Sequence, residues 1–291
     1  MDSFTEEDIR GKVKQILNEM GITNPPVRLS DVLDFLETHQ EYYDLSDTNL
    51  LEEVSHKLKV GLYKVKEVVS KIDLKGLWLP DQNKILISDQ VPEIKQRWIS
   101  AHEIGHRIIP WHKDFIFGDT AETLDPSYHE MLENEANFAA SELLFLGSQF
   151  SIEASDYTPS LKAISELAKS YGNSQTMTLR RFVQYANKDQ PMLGVISKPH
   201  WKNIGIESNQ LCRYFLPSKL FSKRFPKVRA SFIIDQLKEY LVPKRGGPVG
   251  SGEIVLVDCD GGEHCFSAES FFNSYDVLTL IVYNKIAVGV F

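Results

Sequence analysis

The pattern of apolar positions predicts two long helices in the first half of the chain. Between Pro92 and Pro110, apolar residues recur at spacings of four, three, four and three, so they form one stripe along a helix. These residues are Ile94, Trp98, Ala101, Gly105 and Ile108. Proline is tolerated in the first turn of a helix and stops a helix from continuing, so the two prolines bound this segment.

The second long helix carries the same spacing of apolar residues. Its stripe is made of Leu132, Ala136, Ala139, Leu143 and Leu146. Asp125 is placed to cap the first turn, Pro126 suits the first helical position, and Gly147 marks the end of the helix. An irregular stretch of residues separates this helix from the first, and loops of such length are often functional.

Shorter elements are predicted before the first long helix. The helices cover residues 4–20, a segment capped by Ser30 or Asp31, and one or two segments within 46–71. Two short apolar runs, 76–79 and 84–88, flank a Pro-Asp-Gln-Asn turn and therefore predict a β-hairpin. This hairpin either offers an open edge to an extended peptide or only packs against the helix that follows it.

Residues 159–187 predict two amphipathic helices joined by a turn at Gly172–Ser174. Their outline resembles a helix-turn-helix, and Arg180 and Arg181 on the second helix form a small footprint for phosphate groups. A helical linker with a structural role is the stronger interpretation. Contact with DNA is the weaker expectation.

The pattern changes after Pro191, where short apolar runs typical of strands replace the helical stripes. The predicted strands are 192–197, 253–258, 277–283 and 286–291, with one helix over 232–241. The glycine-rich run 244–252 is predicted to be a flexible loop. The whole pattern favours an α+β fold, with a mostly helical N-terminal domain that contains a small hairpin, a helical linker, and a C-terminal mixed α/β domain.

Composition places the chain among folded proteins. Of its 291 residues 42% are hydrophobic and 25% are charged, which excludes disorder and fibrous repeats. The net charge of −8 argues against strong non-specific binding to nucleic acid, which needs a positive field. No apolar run has the length of a membrane span, and the N-terminus is acidic where a secretory signal is basic and then apolar. We therefore expect a cytoplasmic protein without a membrane partner.

The three cysteines do not indicate a metal site. Cys212, Cys259 and Cys265 are an odd number without Cys-x-x-Cys spacing, so reduced thiols are expected. A redox-sensitive pair formed by Cys259 and Cys265 across a hairpin is a weaker alternative.

The candidate chemistry lies on the first long helix, in the sequence His-Glu-x-x-His. Because a helix advances about 100° per residue, His102 and His106 lie one turn apart on nearly the same face and can meet one metal ion. Glu103 lies beside them. In zinc peptidases two histidines at this spacing hold the metal and the glutamate acts as the general base toward water. A chance occurrence of this motif on an ordinary core helix is the competing interpretation.

A zinc site with two histidines needs a third protein ligand. Glu133 is placed to supply it from the second long helix, and Asn137, one turn later, would hold an imidazole N–H or Glu133 itself in orientation. Glu130 and Glu135 remain the alternatives for the third ligand, although Glu135 points to another side of that helix. The residue that stabilises an oxyanion is not assigned; the nearby candidates His112, Tyr128 and His129 are more typical of structural residues.

Two of these segments resemble one protein family. Arg97–His106 followed by Glu133–Ala140 is similar to the ImmA/IrrE family of zinc metallo-endopeptidases, and Pro26–Leu33 and the hairpin are similar to that family's lead-in. The resemblance implies Zn²⁺ as the cofactor, His102, His106 and Glu133 as its ligands, and Glu103 as the catalytic base. It also implies a protein substrate, commonly a helix-turn-helix transcriptional repressor whose cleavage switches on stress or mobile-element genes.

By this resemblance the chain divides into three parts. They are a zincin-like peptidase domain over 1–150, the helix-turn-helix-like segment over 151–190, and a regulatory domain similar to the GAF type over 191–291. The leading hypothesis is a zinc-dependent endopeptidase. The alternative is a DNA-binding or sensory regulator that keeps zinc for structure only.

Overall fold

The computed structural model describes residues 1–43, 76–113 and 126–286. The chain divides into two compact units, Met1–Ser148 and Gln149–Phe291. The helices predicted within 46–71 and the predicted cap Asp125 lie outside the described residues. The α+β class is confirmed, because a mostly helical N-terminal unit is followed by a unit built on a larger sheet.

The N-terminal unit contains four described helices and three strands. They are α1 (Ser3–Glu19), α2 (Leu29–Phe35), β1 (His39–Tyr43), β2 (Gly76–Leu79), β3 (Lys84–Ser88), α3 (Glu93–Ile108) and α4 (Pro126–Leu144). Helix α3 lies between Pro92 and Pro110, as predicted, and Pro92 is its N-cap residue. The cap predicted for α2 is wrong: Arg28 takes the N-cap position without a side-chain hydrogen bond, so Ser30 already lies inside the helix.

The small sheet has the strand order β1-β3-β2. The predicted hairpin forms between β2 and β3, and β1, which the apolar pattern did not predict, pairs parallel with β3. The central strand β3 is the most buried of the three, because it is covered by neighbours on both edges and packs on α3. The edge strand β2 also contacts α3, which places this edge beside the metal-ligand candidates.

The C-terminal unit is a five-stranded antiparallel sheet with helices. The helices are α5 (Ser148–Ser155), α6 (Leu161–Tyr171), α7 (Gln175–Tyr185), α8 (Ser208–Leu211), α9 (Lys219–Arg224) and α10 (Ala230–Lys238). The strands are β4 (Met192–Ser197), β5 (Cys212–Pro217), β6 (Gly247–Val257), β7 (Glu263–Phe272) and β8 (Val277–Ile286), in the order β5-β4-β8-β7-β6. Helix α7 packs on β4 at Gly194, where a Cβ atom would already touch Val183 at 3.3 Å.

One loop prediction and one strand prediction in this unit need correction. The run 244–252 is not a loop throughout, because β6 begins at Gly247. Its glycines serve close packing: a Cβ atom on Gly250 would lie 2.6 Å from the carbonyl oxygen of Tyr240. The strand predicted over 277–283 continues to Ile286, so the predicted break before residue 286 is absent from β8. Residues 287–291 lie outside the described part of the chain.

Two expectations about the whole chain can be compared with the structure. Among the described residues, none of the helices combines the length and the apolar character that a membrane span requires. The three cysteines, all within the described ranges, are reduced thiols, and no disulfide joins the exposed Cys259 to the buried Cys265.

Candidate metal centre

Helices α3 and α4 approach each other closely beside the His-Glu-x-x-His motif. Gly105 lies at the contact, where a Cβ atom would be 2.7 Å from the carbonyl oxygen and 3.2 Å from the Cα atom of Ala136. Such separations are too short for a real side chain, so glycine permits this distance between the two backbones. The close approach is what brings residues of α4 next to the two histidines of α3.

Three side chains meet at this contact. The Nε2 atoms of His102 and His106 are 3.2 Å apart. Oxygen atoms of Glu133 lie 3.2 Å from His102 Nε2 and 3.5 Å from His106 Nε2. These residues form the group of potential metal ligands found among the described residues. The histidine side chains are 14% and 12% exposed and that of Glu133 is 40% exposed, so the cluster is open to solvent on the glutamate side.

The distances fit a tetrahedral metal ion. Zinc bonds of about 2.0–2.1 Å at tetrahedral angles separate neighbouring ligand atoms by about 3.3 Å. The two Nε2 atoms are 3.2 Å apart, and each lies close to that value from a Glu133 oxygen, at 3.2 Å from Oε2 for His102 and 3.5 Å from Oε1 for His106. Two imidazoles and one carboxylate are also the donor types of catalytic zinc sites, which keep a fourth position open. The residues present therefore fit the metal that the motif predicts.

His102 is held by Asn137 of α4. The Nδ1 atom of His102 lies 3.1 Å from Asn137 Oδ1. An amide oxygen only accepts, so Nδ1 donates its hydrogen and the lone pair of Nε2 is left for a metal. Asn137 thus makes the contact with an imidazole N–H that was anticipated for it. Its orienting role stays a prediction.

His106 is held by a longer chain of contacts. Its Nδ1 atom lies 2.8 Å from Nδ1 of His112, and His112 Nε2 lies 3.0 Å from Oε2 of Glu135. The indole N–H of Trp111 donates to the same carboxylate oxygen at 2.7 Å. His112 is fully buried and Glu135 is 3% exposed. Burial, together with the neighbouring His106, lowers the pKa of His112 to about 3, so its ring is neutral at physiological pH.

Glu103 lies between the cluster and strand β2. Its carboxylate accepts a hydrogen bond from the backbone N–H of Trp78, and the residue is 5% exposed. A Cβ atom on Gly76 would come within 2.6 Å of Glu103 Oε1 and of the Ile99 side chain, so only glycine leaves room for the carboxylate in this position. Burial raises the pKa of Glu103, although the nearby histidines oppose that shift.

The carboxylate of Glu133 is kept ionised by its neighbours. Burial alone would raise its pKa, but hydrogen bonds and charge interactions with His102 and His106 lower the pKa well below the usual range for glutamate. An ionised carboxylate with both oxygens directed at imidazole nitrogens suits a cation better than a neutral acid. Glu133 is therefore the third side chain of the cluster, whereas the alternative Glu135 is directed at His112.

Sequence reasoning predicted five of the residues at this site and missed others. His102, His106, Glu133, Glu103 and Asn137 lie together, and their roles as ligands, base and orienting residue stay predictions. Gly105 was noticed only as part of an apolar stripe. Gly76 was given no role at the site, and His112 and Glu135 were considered only as an oxyanion candidate and an alternative third ligand, because their contact with each other depends on distance in space. The side chains of the other two oxyanion candidates, Tyr128 and His129, lie outside the described part of the structure.

The arginines of the helix-turn-helix-like segment are only partly at the surface. Arg181 is 3% exposed, and its guanidinium lies 4.3 Å from the centre of the Tyr185 ring. Arg180 lies over the ring of Tyr214 at 4.9 Å. The two arginines therefore do not form a joint surface for phosphate groups. Binding of DNA by this segment stays a weaker prediction.

An open three-ligand cluster beside a buried glutamate defines a site of the metallopeptidase type. The family described as the IrrE N-terminal-like domain, a peptidase family, matches residues 39–183. Over these residues the chain belongs to that family, which confirms the resemblance seen in its motifs. The GAF type predicted for the C-terminal domain is not confirmed by this match.

A solved structure extends the comparison to the whole chain. It is described as a "Mycobacterium tuberculosis transcriptional regulator", is 12% identical, and matches with a TM-score of 0.52. The match covers 98% of this chain and 93% of that chain. Such low identity shows a similar fold alone. No curated protein sequence matches the chain.

Proposed function

We propose that the protein is a zinc-dependent endopeptidase with His102, His106 and Glu133 as metal ligands and Glu103 as general base. The observation that carries this proposal is the convergence of three ligand side chains: the two histidine Nε2 atoms are 3.2 Å apart, and each lies 3.2–3.5 Å from one oxygen of Glu133. Structural zinc sites are closed by four protein ligands, whereas catalytic sites have three and one open position. The solvent exposure of Glu133 supports the open, catalytic type.

The chemistry needs both the ion and the glutamate. When bound, zinc would polarise the scissile carbonyl and lower the pKa of a water molecule. Glu103 accepts the proton of that water and then passes it to the leaving amine. The backbone N–H of Trp78 and the space left by Gly76 hold the carboxylate of Glu103 in one place. Burial raises the pKa of Glu103, which makes its carboxylate a stronger proton acceptor.

Strand β2 is the proposed binding edge for an extended peptide. It pairs on one side with β3, and in the described small sheet it is an edge strand. A Cβ atom on Gly76 of β2 would lie 2.6 Å from Glu103 Oε1, so the backbone of this strand lies against the catalytic side chain. A substrate strand that pairs with β2 would therefore pass beside Glu103, as in other cases of strand addition.

The substrate class is proposed from the resemblance to the family. The resemblance implies a helix-turn-helix transcriptional repressor, and cleavage would derepress stress-response or mobile-element genes. The similar solved structure is itself described as a transcriptional regulator, which is in keeping with this role. The remaining parts of the proposal are a location in the cytoplasm and a regulatory, GAF-like role for the region 191–291, with 151–190 as the segment between it and the peptidase.

The proposal is tested by metal content and by cleavage in cells that express the full chain. The parent protein should carry about one zinc per chain. Glu103→Gln should keep that zinc and lose proteolysis, because Glu103 is not a ligand. Glu133→Ala should lose zinc affinity, because one of three protein ligands is removed. Elemental analysis of protein purified without chelator measures the first property.

Proteolysis is measured by mass spectrometry of newly formed protein N-termini. Cells with the parent chain should contain a cleaved helix-turn-helix repressor that cells with Glu103→Gln lack. A parent protein that carries no zinc and takes up none would contradict the metal site. Cleavage products that are the same in cells with the parent chain and in cells with the Glu103→Gln variant would contradict the peptidase and favour a regulator with structural zinc.

A further inference from the structure

Beyond its three ligands, the metal centre contains a chain of hydrogen bonds that ends on a buried carboxylate. The chain runs from Glu135 through His112 to Nδ1 of His106, over distances of 3.0 and 2.8 Å. We propose that Glu135 and His112 are positioning residues that fix His106 in the tautomer that binds the metal. This inference rests on the proposed function, since it assigns a role at the same metal site.

The hydrogen positions along this chain follow from the acceptor at its end. Oε2 of Glu135 accepts the indole N–H of Trp111 at 2.7 Å, and His112 Nε2 lies 3.0 Å from the same acceptor oxygen, so His112 Nε2 carries a hydrogen. A neutral imidazole has one donor and one acceptor, so Nδ1 of His112 accepts. His106 then donates from its own Nδ1, at 2.8 Å, and its Nε2 atom is left with a free lone pair. That atom faces the carboxylate of Glu133 and the Nε2 atom of His102.

The two metal-ligand histidines are therefore supported unequally. The Nδ1–H of His102 donates to a neutral amide oxygen of Asn137. The Nδ1–H of His106 donates to an imidazole that is itself hydrogen-bonded to a carboxylate. Carboxylate–histidine–metal arrangements orient the ring and raise the basicity of the ligand, and charged hydrogen bonds are the stronger kind. We infer that His106 is the more firmly oriented of the two.

Burial separates this arrangement from an incidental surface contact. His112 is fully buried, and Glu135 is 3% exposed, so water does not compete for their hydrogen bonds. Trp111 supplies a second donor to the Glu135 oxygen at 2.7 Å, which holds the carboxylate in place. The same contacts would also tie the segment after α3 to α4. A test must therefore separate orientation of His106 from simple stabilisation.

Metal affinity of the full chain is the first measurement. Glu135→Gln keeps the shape of the side chain and removes its charge, and His112→Phe removes the acceptor for His106. Both variants should bind zinc about 10- to 100-fold more weakly, as when outer partners of metal-bound histidines are removed. With cobalt in place of zinc, the visible absorption bands of the variants should shift, because the orientation of one imidazole ligand changes.

Glu142→Gln is the matched control. Glu142 is also a buried carboxylate of α4, 2% exposed, and it pairs with Arg10 at 3.6 Å. Its replacement should lower thermal stability without changing zinc affinity or the cobalt spectrum. Loss of a partner that hydrogen-bonds a metal-bound histidine changes metal affinity by more than about twofold. If the zinc affinities of Glu135→Gln and His112→Phe are within about twofold of the parent's, the inference is overturned.

Histidine tautomers of the unchanged protein give an independent measurement. Long-range proton–nitrogen NMR correlations of ¹⁵N-histidine-labelled protein, at mildly alkaline pH, should show His112 protonated on Nε2 and His106 on Nδ1. A His112 protonated on Nδ1 overturns the inference whatever the variants do. If the parent binds zinc but the variants keep its affinity or the tautomers differ from those expected, only the inference about Glu135 and His112 is overturned. If the parent binds no zinc, both this inference and the proposed function are overturned.

Discussion

Each compact unit contains a carboxylate hydrogen-bonded to a buried imidazole. The two pairs differ in what the other nitrogen of the imidazole ring contacts. In the N-terminal unit Glu135 contacts His112 at 3.0 Å, and the other ring nitrogen of His112 faces His106. In the C-terminal unit Asp258 contacts His264 at 2.7 Å. The Nδ1 atom of His264 is buried without a hydrogen-bond partner among the described residues, beside the ring of Phe225.

This difference shows why a buried histidine does not by itself mark a functional site. The same pair of side chains supports a cluster of ligand-type atoms in one unit and ends among aromatic rings in the other. What separates the two is the atom that the second imidazole nitrogen touches. The comparison therefore predicts that changes around the first pair alter metal binding, and that changes around the second alter only the stability of the fold.

The largest effect is expected from Gly105→Ala. The new Cβ atom would lie 2.7 Å from the carbonyl oxygen of Ala136, so α3 and α4 must move apart and carry Glu133 away from the histidines. We expect destabilisation of about 1–3 kcal/mol, as for overpacked cores. We also expect zinc affinity to fall by about tenfold or more, in the range seen for disturbed metal sites. Thermal unfolding and zinc titration measure the two effects.

Gly11→Ala is the control for that substitution. Gly11 lies inside α1, and a Cβ atom there would have no described neighbour within 4 Å. Alanine should stabilise this helix by about 0.5–1 kcal/mol and leave zinc binding unchanged. If Gly105→Ala binds zinc as tightly as the parent does, close approach of the helices is not what forms the cluster.

The sequence predicted the elements whose pattern is local. The apolar stripe between Pro92 and Pro110 predicted α3, which begins and ends between these two prolines. Strand β4 was predicted with its observed ends. Strands β1, β5 and β7 were missed, because their burial depends on neighbours that are distant in the chain. The glycine-rich run 244–252 was predicted wrongly for the same reason. Its glycines indicated a flexible loop, whereas in the structure they make room for Tyr240, which lies outside the run.

The candidate site shows the same division. His102 and His106 share a helical face by spacing alone, and Glu133 followed from the need for a third ligand. The contact between His112 and Glu135 joins residues 23 positions apart, one in the segment after α3 and the other on α4. Nothing in the order of residues indicates that pair, and the sequence offered Glu135 only as an alternative third ligand that points to another side of its helix.

A smaller effect is expected from Gly76→Ala, which tests the position of Glu103 without touching a ligand. The added Cβ atom would lie 2.6 Å from Glu103 Oε1, so the carboxylate must shift. A displacement of about 1 Å at a catalytic group can cost on the order of 100-fold in rate. We expect peptidase activity to fall by about that factor while zinc content stays at the level of the parent.

The comparison for this variant is Glu103→Gln, which should also retain zinc and be less active still. Assays use the substrate identified through its newly formed N-terminus, with the zinc content of each preparation measured in parallel. Full activity of Gly76→Ala would show that the carboxylate of Glu103 works from another position.

The smallest effect on the metal site is expected from Asp258→Asn, in the other unit. The hydrogen bond from His264, with backbone N–H groups of Gly262 and Asp260, lowers the pKa of Asp258. A carboxyl group whose pKa is lower in the folded state stabilises that state above its unfolded pKa of about 3.9, and this contribution is lost as the pH falls through the folded value. The parent should therefore be more stable than Asp258→Asn at neutral pH, and the difference between their urea midpoints should shrink in acid. Zinc affinity at neutral pH should be equal in the two proteins. A loss of zinc affinity in Asp258→Asn, comparable with that of Glu135→Gln, would show that the two carboxylate–imidazole pairs are not separate in function.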